Sequence, residues 1–160
     1  MVKKLEHFEQ RKEHAVFCPV GQASFDEMAD LISRAVLRCR QKKIEKLPID
    51  STGMSGFHPP GIAERFNLAE RISSNAKSSV KIAHVASPEW VRSGKFSLMV
   101  AKNRGLDAMN FNSLATGLEW LLKSKWGEHP IAQVECSAIV SSMSPKSVSY
   151  THLSKAVVAE

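Results

Sequence analysis

The chain has few cysteines and no long apolar run, and both features limit the classes of protein to which it can belong. Cys18, Cys39 and Cys136 are widely spaced and odd in number, which favours free thiols over a disulfide framework. Without a CxxC pair or a compact Cys/His cluster, we expect no metal site. No run approaches the roughly 20 apolar residues that cross a membrane, and the charged N-terminus lacks a secretory segment. We therefore expect a cytoplasmic protein without cofactors.

Aromatic residues are also scarce, at 7% of the chain, and this affects how the positive charge is interpreted. The formal net charge of +6 could indicate an acidic partner or nucleic acid. The basic residues, however, mix with acidic ones along predicted helix faces, and no basic-aromatic interleaving indicates a base-stacking surface. We interpret the charge as solvated helix faces and do not expect nucleic acid to bind.

Length and composition predict one domain with an extension. With 160 residues, 43% of them apolar, the chain suffices for one domain with a core and is too short for two ordinary ones. We place this domain at residues 1–126. Residues 127–160 are Ser-rich and form a C-terminal extension, in which residues 131–140 could make one more strand.

Hydrophobic periodicity predicts strands that alternate with helices. Ser24 and Glu27 have the spacing of a capping box, Pro88 fits a first helical turn, Gly94 is expected to interrupt a helix and Gly105 to end it. The predicted order is ββαβαβαβα, with strands at residues 2–8, 15–20, 47–50, 80–86 and 106–111 and helices that begin near residues 24, 59, 87 and 113.

This alternation implies right-handed βαβ crossovers and a mostly parallel sheet, with the first two strands as an antiparallel edge hairpin. We therefore predict an α/β fold with a four- or five-stranded mixed sheet and packed helices. The second helix would bury a stripe that begins at Ile62 and would end at residue 73. The last helix would bury Leu114, Leu118, Leu121 and Leu122.

The loop after the third predicted strand is the candidate site. In an open α/β sheet, ligands bind where the carboxyl end of a strand meets the following helix N-terminus. Polar loop residues could accept a phosphoryl group or hold an anion or a partner. The alternative is a tight capped turn, for which Ser, Thr and Gly are ordinary. The residues concerned are Asp50, Ser51, Thr52, Ser55 and His58.

Two basic residues mark a secondary candidate site. Lys102 and Arg104 fall near the end of a predicted helix. They could bind an anion at an end of the sheet, or they could complement the C-terminal dipole of that helix.

Several segments follow one another as they do in STAS-type domains. They are Asp50 followed by STGMSGF, then PPGIAERFNLAERI, VKIAHVASPEW, FSLMVAKNRGLDAMNF and SLATGLEWL. Over residues 15–122 the chain resembles the STAS-like (anti-sigma-factor-antagonist-like) bacterial proteins. The resemblance implies an α/β sandwich and a non-enzymatic role, in which a partner protein or small ligand binds near the N-terminus of the second helix.

Regulatory members of that family carry a phosphorylatable serine in an Asp-Ser-Ser/Thr-Gly loop. The chain has a similar run from Asp50 to Gly53. Asp50 corresponds, however, to the end of the preceding strand, and the phosphoserine position falls near His58, where there is no serine. The resemblance therefore implies that this switch is absent or rebuilt.

Three functions are compatible with these residues. The first is a STAS-like regulatory or protein-interaction domain without catalysis, for which a homodimer is one form. The second is a small-molecule or lipid-binding domain. The third is a hydrolase-like enzyme that uses the loop of residues 50–58, which requires a Ser and a His side chain within about 3 Å of each other. We expect the first, because no triad, metal cluster or phosphate loop stands out.

Overall fold

The computed structural model describes residues 5–123, in which helices cover both faces of a sheet. The strands are β1 (Phe8–Gln10), β2 (Ala15–Phe17), β3 (Gly21–Gln22), β4 (Lys46–Asp50), β5 (Met54–Ser55), β6 (Lys81–Val85) and β7 (Ala108–Phe111), and the helices are α1 (Phe25–Gln41), α2 (Ile62–Ala76), α3 (Pro88–Ser93), α4 (Lys95–Asn103) and α5 (Leu114–Lys123). The predicted extension at residues 127–160, with its strand at 131–140, lies outside the described residues.

Five strands form one mixed sheet in the order β1-β2-β4-β6-β7. β1 and β2 are an antiparallel edge hairpin, whereas β2, β4, β6 and β7 run parallel. The predicted α/β class, the mixed and mostly parallel sheet and the edge hairpin are thereby confirmed. β3 and β5 pair in a separate two-stranded sheet. Periodicity does not predict these two strands, since two residues are too few to show it.

The hairpin strands are shorter than the sequence predicts. β1 begins at Phe8, because His7 has a left-handed φ of 61° that cannot continue a strand. β2 ends at Phe17 rather than at residue 20. Pro19 follows within two residues and has no N–H to donate to a ladder.

The predicted helix signals are confirmed around α1, α3 and α4. The N–H of Ser24 donates to Oε2 of Glu27 at 2.8 Å, and the N–H of Glu27 donates to Oγ of Ser24 at 3.3 Å, which completes the capping box. α3 and α4 are separated at Gly94. Gly105, just beyond the end of α4, has the φ of 77° that favours glycine at a helix end.

α2 differs from its prediction at both ends. It begins after Gly61 and continues past Ser73, whose hydroxyl donates to the carbonyl of Ala69 at 2.7 Å and is thereby satisfied inside the helix. Ile62, expected to be buried, is 71% exposed. It precedes Leu68, the first buried residue of α2, by almost two turns, so this end of the helix extends beyond its packing neighbours.

α5 covers one face of the sheet, while α1, α2 and α4 share the core with Ile82 on the other. Gly117 of α5 packs so closely on β6 that a Cβ there would lie 3.2 Å from Cβ of Ala83. Trp120 is buried on the same side of α5. The prediction that Leu122 is buried is wrong, since it is 43% exposed. The reason is that the small Gly117 lets the helix face that carries Trp120 approach the sheet.

Candidate functional site

The candidate loop leaves the sheet at the carboxyl end of β4 and is held by Asp50. Oδ1 of Asp50 accepts the N–H of Thr52 at 3.0 Å and its hydroxyl at 2.5 Å. The N–H of Ser51 donates to the carbonyl of Val85, the last residue of β6, at 3.0 Å. The N–H of Met54 donates to the carbonyl of Ser51 at 3.1 Å. These four bonds fix Ser51 between the carboxyl ends of β4 and β6.

The hydroxyl of Ser51 contacts a histidine on the neighbouring strand. Its Oγ lies 2.8 Å from Nε2 of His84 and 3.2 Å from the carbonyl oxygen of Val85. The imidazole tautomer decides whether the hydroxyl donates its single proton to Nε2, or donates it to the Val85 carbonyl while accepting from an Nε2–H. The Ser–His distance that the hydrolase hypothesis requires is thus present, but with His84 in place of His58.

His84 is in turn joined to Asn110. The two residues are directly paired across β6 and β7, and a side-chain hydrogen bond connects them. Burial lowers the pKa of His84 from 6.5 to about 4, while the bond with Asn110 and the charge of Asp50 each act to raise it. The imidazole is therefore neutral at pH 7.

The contact with Ser51 identifies Nε2 as the ring nitrogen of His84 that faces the loop. A neutral imidazole has one N–H and one acceptor nitrogen, so Ser51 donates to Nε2 in one tautomer and accepts from it in the other. In the tautomer that carries its proton on Nδ1, Nε2 accepts the Ser51 hydroxyl. We call Ser51, His84 and Asn110, which are joined by these side-chain contacts, the relay.

An aromatic cluster lies beside the imidazole. The ring of Trp90, from α3, is 6.0 Å from the ring of His84. Phe57 of the loop and Phe25 of α1 lie 6.2 and 5.9 Å from Trp90, centroid to centroid. These rings keep water away from one side of His84, in agreement with its low pKa.

The predicted loop residues do not all meet at one point. Asp50 and Ser51 are partly buried at the carboxyl end of β4, whereas Thr52, Ser55 and His58 are exposed. His58 borders a cleft of about 410 Å³ between the loop, α1 and α2. Among the described residues, no hydrogen bond joins His58 to Ser51 or Ser55.

The predicted secondary site lies near the amino ends of the parallel strands, whereas the candidate loop lies at their carboxyl ends. Lys102 is in the last turn of α4 and Arg104 follows it, just before the chain enters the amino end of β7. Arg104 makes an ion pair with Glu70 of α2, with Nη2 and Oε1 2.6 Å apart, and its guanidinium lies 5.7 Å from the ring centroid of Phe66. Lys102 is exposed. The two predicted sites are therefore structurally separate.

Sequence reasoning assigns His84 and Asn110 no role at the candidate site. Both are polar residues inside buried, largely apolar segments, VKIAHVA and LDAMNF, which also carry the charged Lys81 and Asp107. Buried polar groups need partners. Two such residues at equivalent positions of adjacent parallel strands are the signal that could have identified the pair.

The described residues contain no group of three or more His, Cys, Asp or Glu that could hold a metal ion. Within residues 5–123, no helix is both long and apolar enough to cross a bilayer. No protein-family model matches the chain, and no curated protein or solved structure matches it significantly. The resemblance to STAS-type domains therefore stays a prediction.

Proposed function

We propose that the chain is a STAS-like interaction domain that binds a partner protein at the loop of residues 51–61. The proposal includes a cytoplasmic location, which the free thiols of Cys18 and Cys39 support. Binding of this kind requires no turnover. The order of the family-like motifs favours this class of protein, and the surface around the loop favours the place.

One observation supports the proposal most directly: two bulky apolar side chains on the surface flank the loop. Val20 is 58% exposed and packs so closely on Gly53 that a Cβ there would lie 2.7 Å from Cγ1 of Val20. Ile62, directly after the loop, is 71% exposed. Between them the loop is fixed by the bonds of Asp50 and Ser51. Apolar anchors around a rigid polar loop are typical of protein-binding surfaces.

Replacement of one of these apolar anchors by a charged residue tests this proposal. The full chain serves as bait in its host lysate, and captured proteins are quantified for wild type, Ile62→Glu and Met99→Glu. Met99, which is 55% exposed on α4, is the matched control. We expect Ile62→Glu to reduce capture of a specific protein at least about tenfold, because a buried unpaired charge opposes docking. Equal capture by both variants would contradict the proposal.

A native mass spectrum decides whether the partner is a second copy of the chain. A homodimer that dissociates in Ile62→Glu and persists in Met99→Glu would identify it as such. A dimer that persists in both would place the homodimer contact elsewhere on the surface.

A second candidate function is small-molecule binding in the cleft of about 410 Å³. Its volume lies within the range of ligand pockets, about 300–1,000 Å³. Phe25, Leu68 and Phe57 supply apolar lining, and His58 and Arg71 supply polar groups. A co-purifying ligand would appear as extra mass in the native spectrum that is lost on denaturation. A bare chain in both spectra counts against this candidate.

A further inference from the structure

The relay at the carboxyl ends of the strands contains the groups that an activated nucleophile requires. Oγ of Ser51 is 2.8 Å from Nε2 of His84, and a side-chain hydrogen bond joins His84 to Asn110. A nucleophile, a base within hydrogen-bond reach and a third group that orients the base are the required elements. The neutral imidazole can take the hydroxyl proton.

A purely structural role does not account for these residues. The backbone N–H of Ser51 already joins β4 to β6 through the carbonyl of Val85. The Ser51 hydroxyl is therefore not needed for that connection. His84 carries a desolvation cost that an aliphatic residue in the same buried strand would avoid. Neither side chain is required by the sheet, yet the fold places their polar atoms in contact.

The surroundings suit an apolar acyl group. Ser51 is partly exposed at the carboxyl ends of the parallel strands, where open α/β sheets bind ligands. Beside it, the partly buried rings of Trp90 and Phe57 form an apolar wall.

We propose that Ser51 is a nucleophile that accepts the acyl group of an ester, with His84 as its general base and Asn110 as the positioning residue. This goes beyond the proposed docking function. Oγ forms a bond to the carbonyl carbon while its proton moves to Nε2 of His84. The bond from the carbonyl carbon to the leaving oxygen then breaks, and that oxygen takes the proton from His84. Water releases the acyl group by the same path.

A small fluorophosphonate tests the nucleophile directly. Oγ of Ser51 would bond to phosphorus, fluoride would leave, and the hydroxyl proton would pass to His84. The full chain is incubated with the probe, its intact mass is measured and the modified peptide is sequenced. We expect one phosphonyl group, located on Ser51. Ser74→Ala, which changes an exposed serine of α2 outside the loop, is the matched control and should label at the wild-type rate.

Variants of the base and of its orienting group separate chemistry from folding. His84→Gln should slow labelling by about 100-fold, since general bases contribute 10²–10⁴-fold. Asn110→Asp should raise the pH midpoint of labelling, because a carboxylate stabilises the protonated imidazole. A raised midpoint would show that labelling depends on the protonation state of His84. The described groups that face His84 are Asp50, Ser51, Trp90 and Asn110, and of these Asp50 carries a carboxyl group.

Two outcomes would overturn the proposal. The first is the absence of an adduct on Ser51 in both wild type and Phe57→Ala, which opens the apolar wall. The second is labelling of Ser51 that neither His84→Gln nor Asn110→Asp alters. If His84→Gln does not fold, the pH midpoint of Asn110→Asp decides. Labelling reports on the Ser51 side chain and capture reports on a partner protein, so failure of one proposal is distinguishable from failure of the other.

Discussion

Lys81 and Asp107 form an ion pair inside the fold, with Nζ and Oδ2 3.4 Å apart. Their side chains are 2% and 7% exposed. The ammonium of Lys81 also lies 4.2 Å from the ring centroid of Trp120, so α5 covers this pair. The pair joins the amino ends of β6 and β7. The candidate loop lies at the other end of the parallel strands, at their carboxyl ends. It belongs to the scaffold that sets the register of these strands.

Removal of one partner of this pair should destabilise the domain strongly. We expect Asp107→Ala to lower the free energy of unfolding by about 3–5 kcal/mol, because it removes a carboxylate that neutralises a buried ammonium. Urea unfolding measures the change. Glu119→Ala, which removes the exposed pair with Lys123, is the control and should leave urea unfolding nearly unchanged, because the pair is solvated. Similar small losses in both variants would show that the Lys81–Asp107 pair is not stabilising.

The stability of the domain should depend on pH through His84. In the unfolded chain this residue has a pKa of 6.5, and in the folded chain about 4. Between these values the unfolded state binds more protons, so stability rises with pH, by about 3 kcal/mol over the whole window. It is lost as the pH falls from 6.5 towards 4.

Chemical denaturation at several pH values between 4 and 7 checks this dependence. His84→Gln should flatten the rise. Burial also lowers the pKa of His14, which adds to the slope in the same direction. His14→Gln is therefore the comparison variant, and it should retain the larger part of the rise. A wild-type slope in His84→Gln would refute the assignment.

The elements of the fold follow from local signals, which is why they could be predicted. Each strand is an apolar run of its own, and Ser24, Gly94 and Gly105 mark helix boundaries by their backbone chemistry. Such signals act over a few residues. The exposure of Ile62 and Leu122 could not be predicted in the same way, because both residues have the correct period and their burial depends on what packs against the helix.

The candidate site was predictable only in part for a related reason. Asp50 and Ser51 are found from the end of an apolar strand followed by turn residues. The contact between Ser51 and His84, however, spans 33 residues and depends on the register of β4 against β6. Periodicity does not specify the register between two parallel strands. His58 is the nearest histidine in sequence, and proximity in sequence favoured the wrong partner for Ser51.

Loss of the Asp50 side chain should loosen the candidate loop. Asp50→Ala removes both bonds that hold Thr52, and we expect amide exchange at residues 52–56 to accelerate about tenfold, as a bond of about 1–1.5 kcal/mol implies. Hydrogen exchange followed by mass spectrometry measures it. Thr52→Val, which keeps the backbone bond and loses the hydroxyl bond, should show a smaller increase. Unchanged exchange in Asp50→Ala would mean that other contacts hold the loop.

A methyl group added at Gly94 should disturb the relay through its contact with Asn110. Gly94 is the C-cap of α3 and the N-cap of α4, and its φ of −81° is one that alanine adopts freely. The added Cβ would, however, lie 2.5 Å from Nδ2 of Asn110 and 3.0 Å from the carbonyl oxygen of Trp90. We therefore expect Gly94→Ala to cost about 1–3 kcal/mol in urea unfolding, because one of these groups must shift.

The same substitution tests whether Asn110 orients His84. If Asn110 is displaced, Gly94→Ala should label more slowly with the fluorophosphonate under conditions where it is fully folded. Gly61→Ala is the matched control, since the nearest atom to its Cβ would be Oε2 of Glu64 at 3.7 Å, and it should label at the wild-type rate. A loss of stability in Gly94→Ala with unchanged labelling would mean that Asn110 packs against α3 without positioning the imidazole. In that case Ser51 and Trp90 would orient His84 without the help of Asn110.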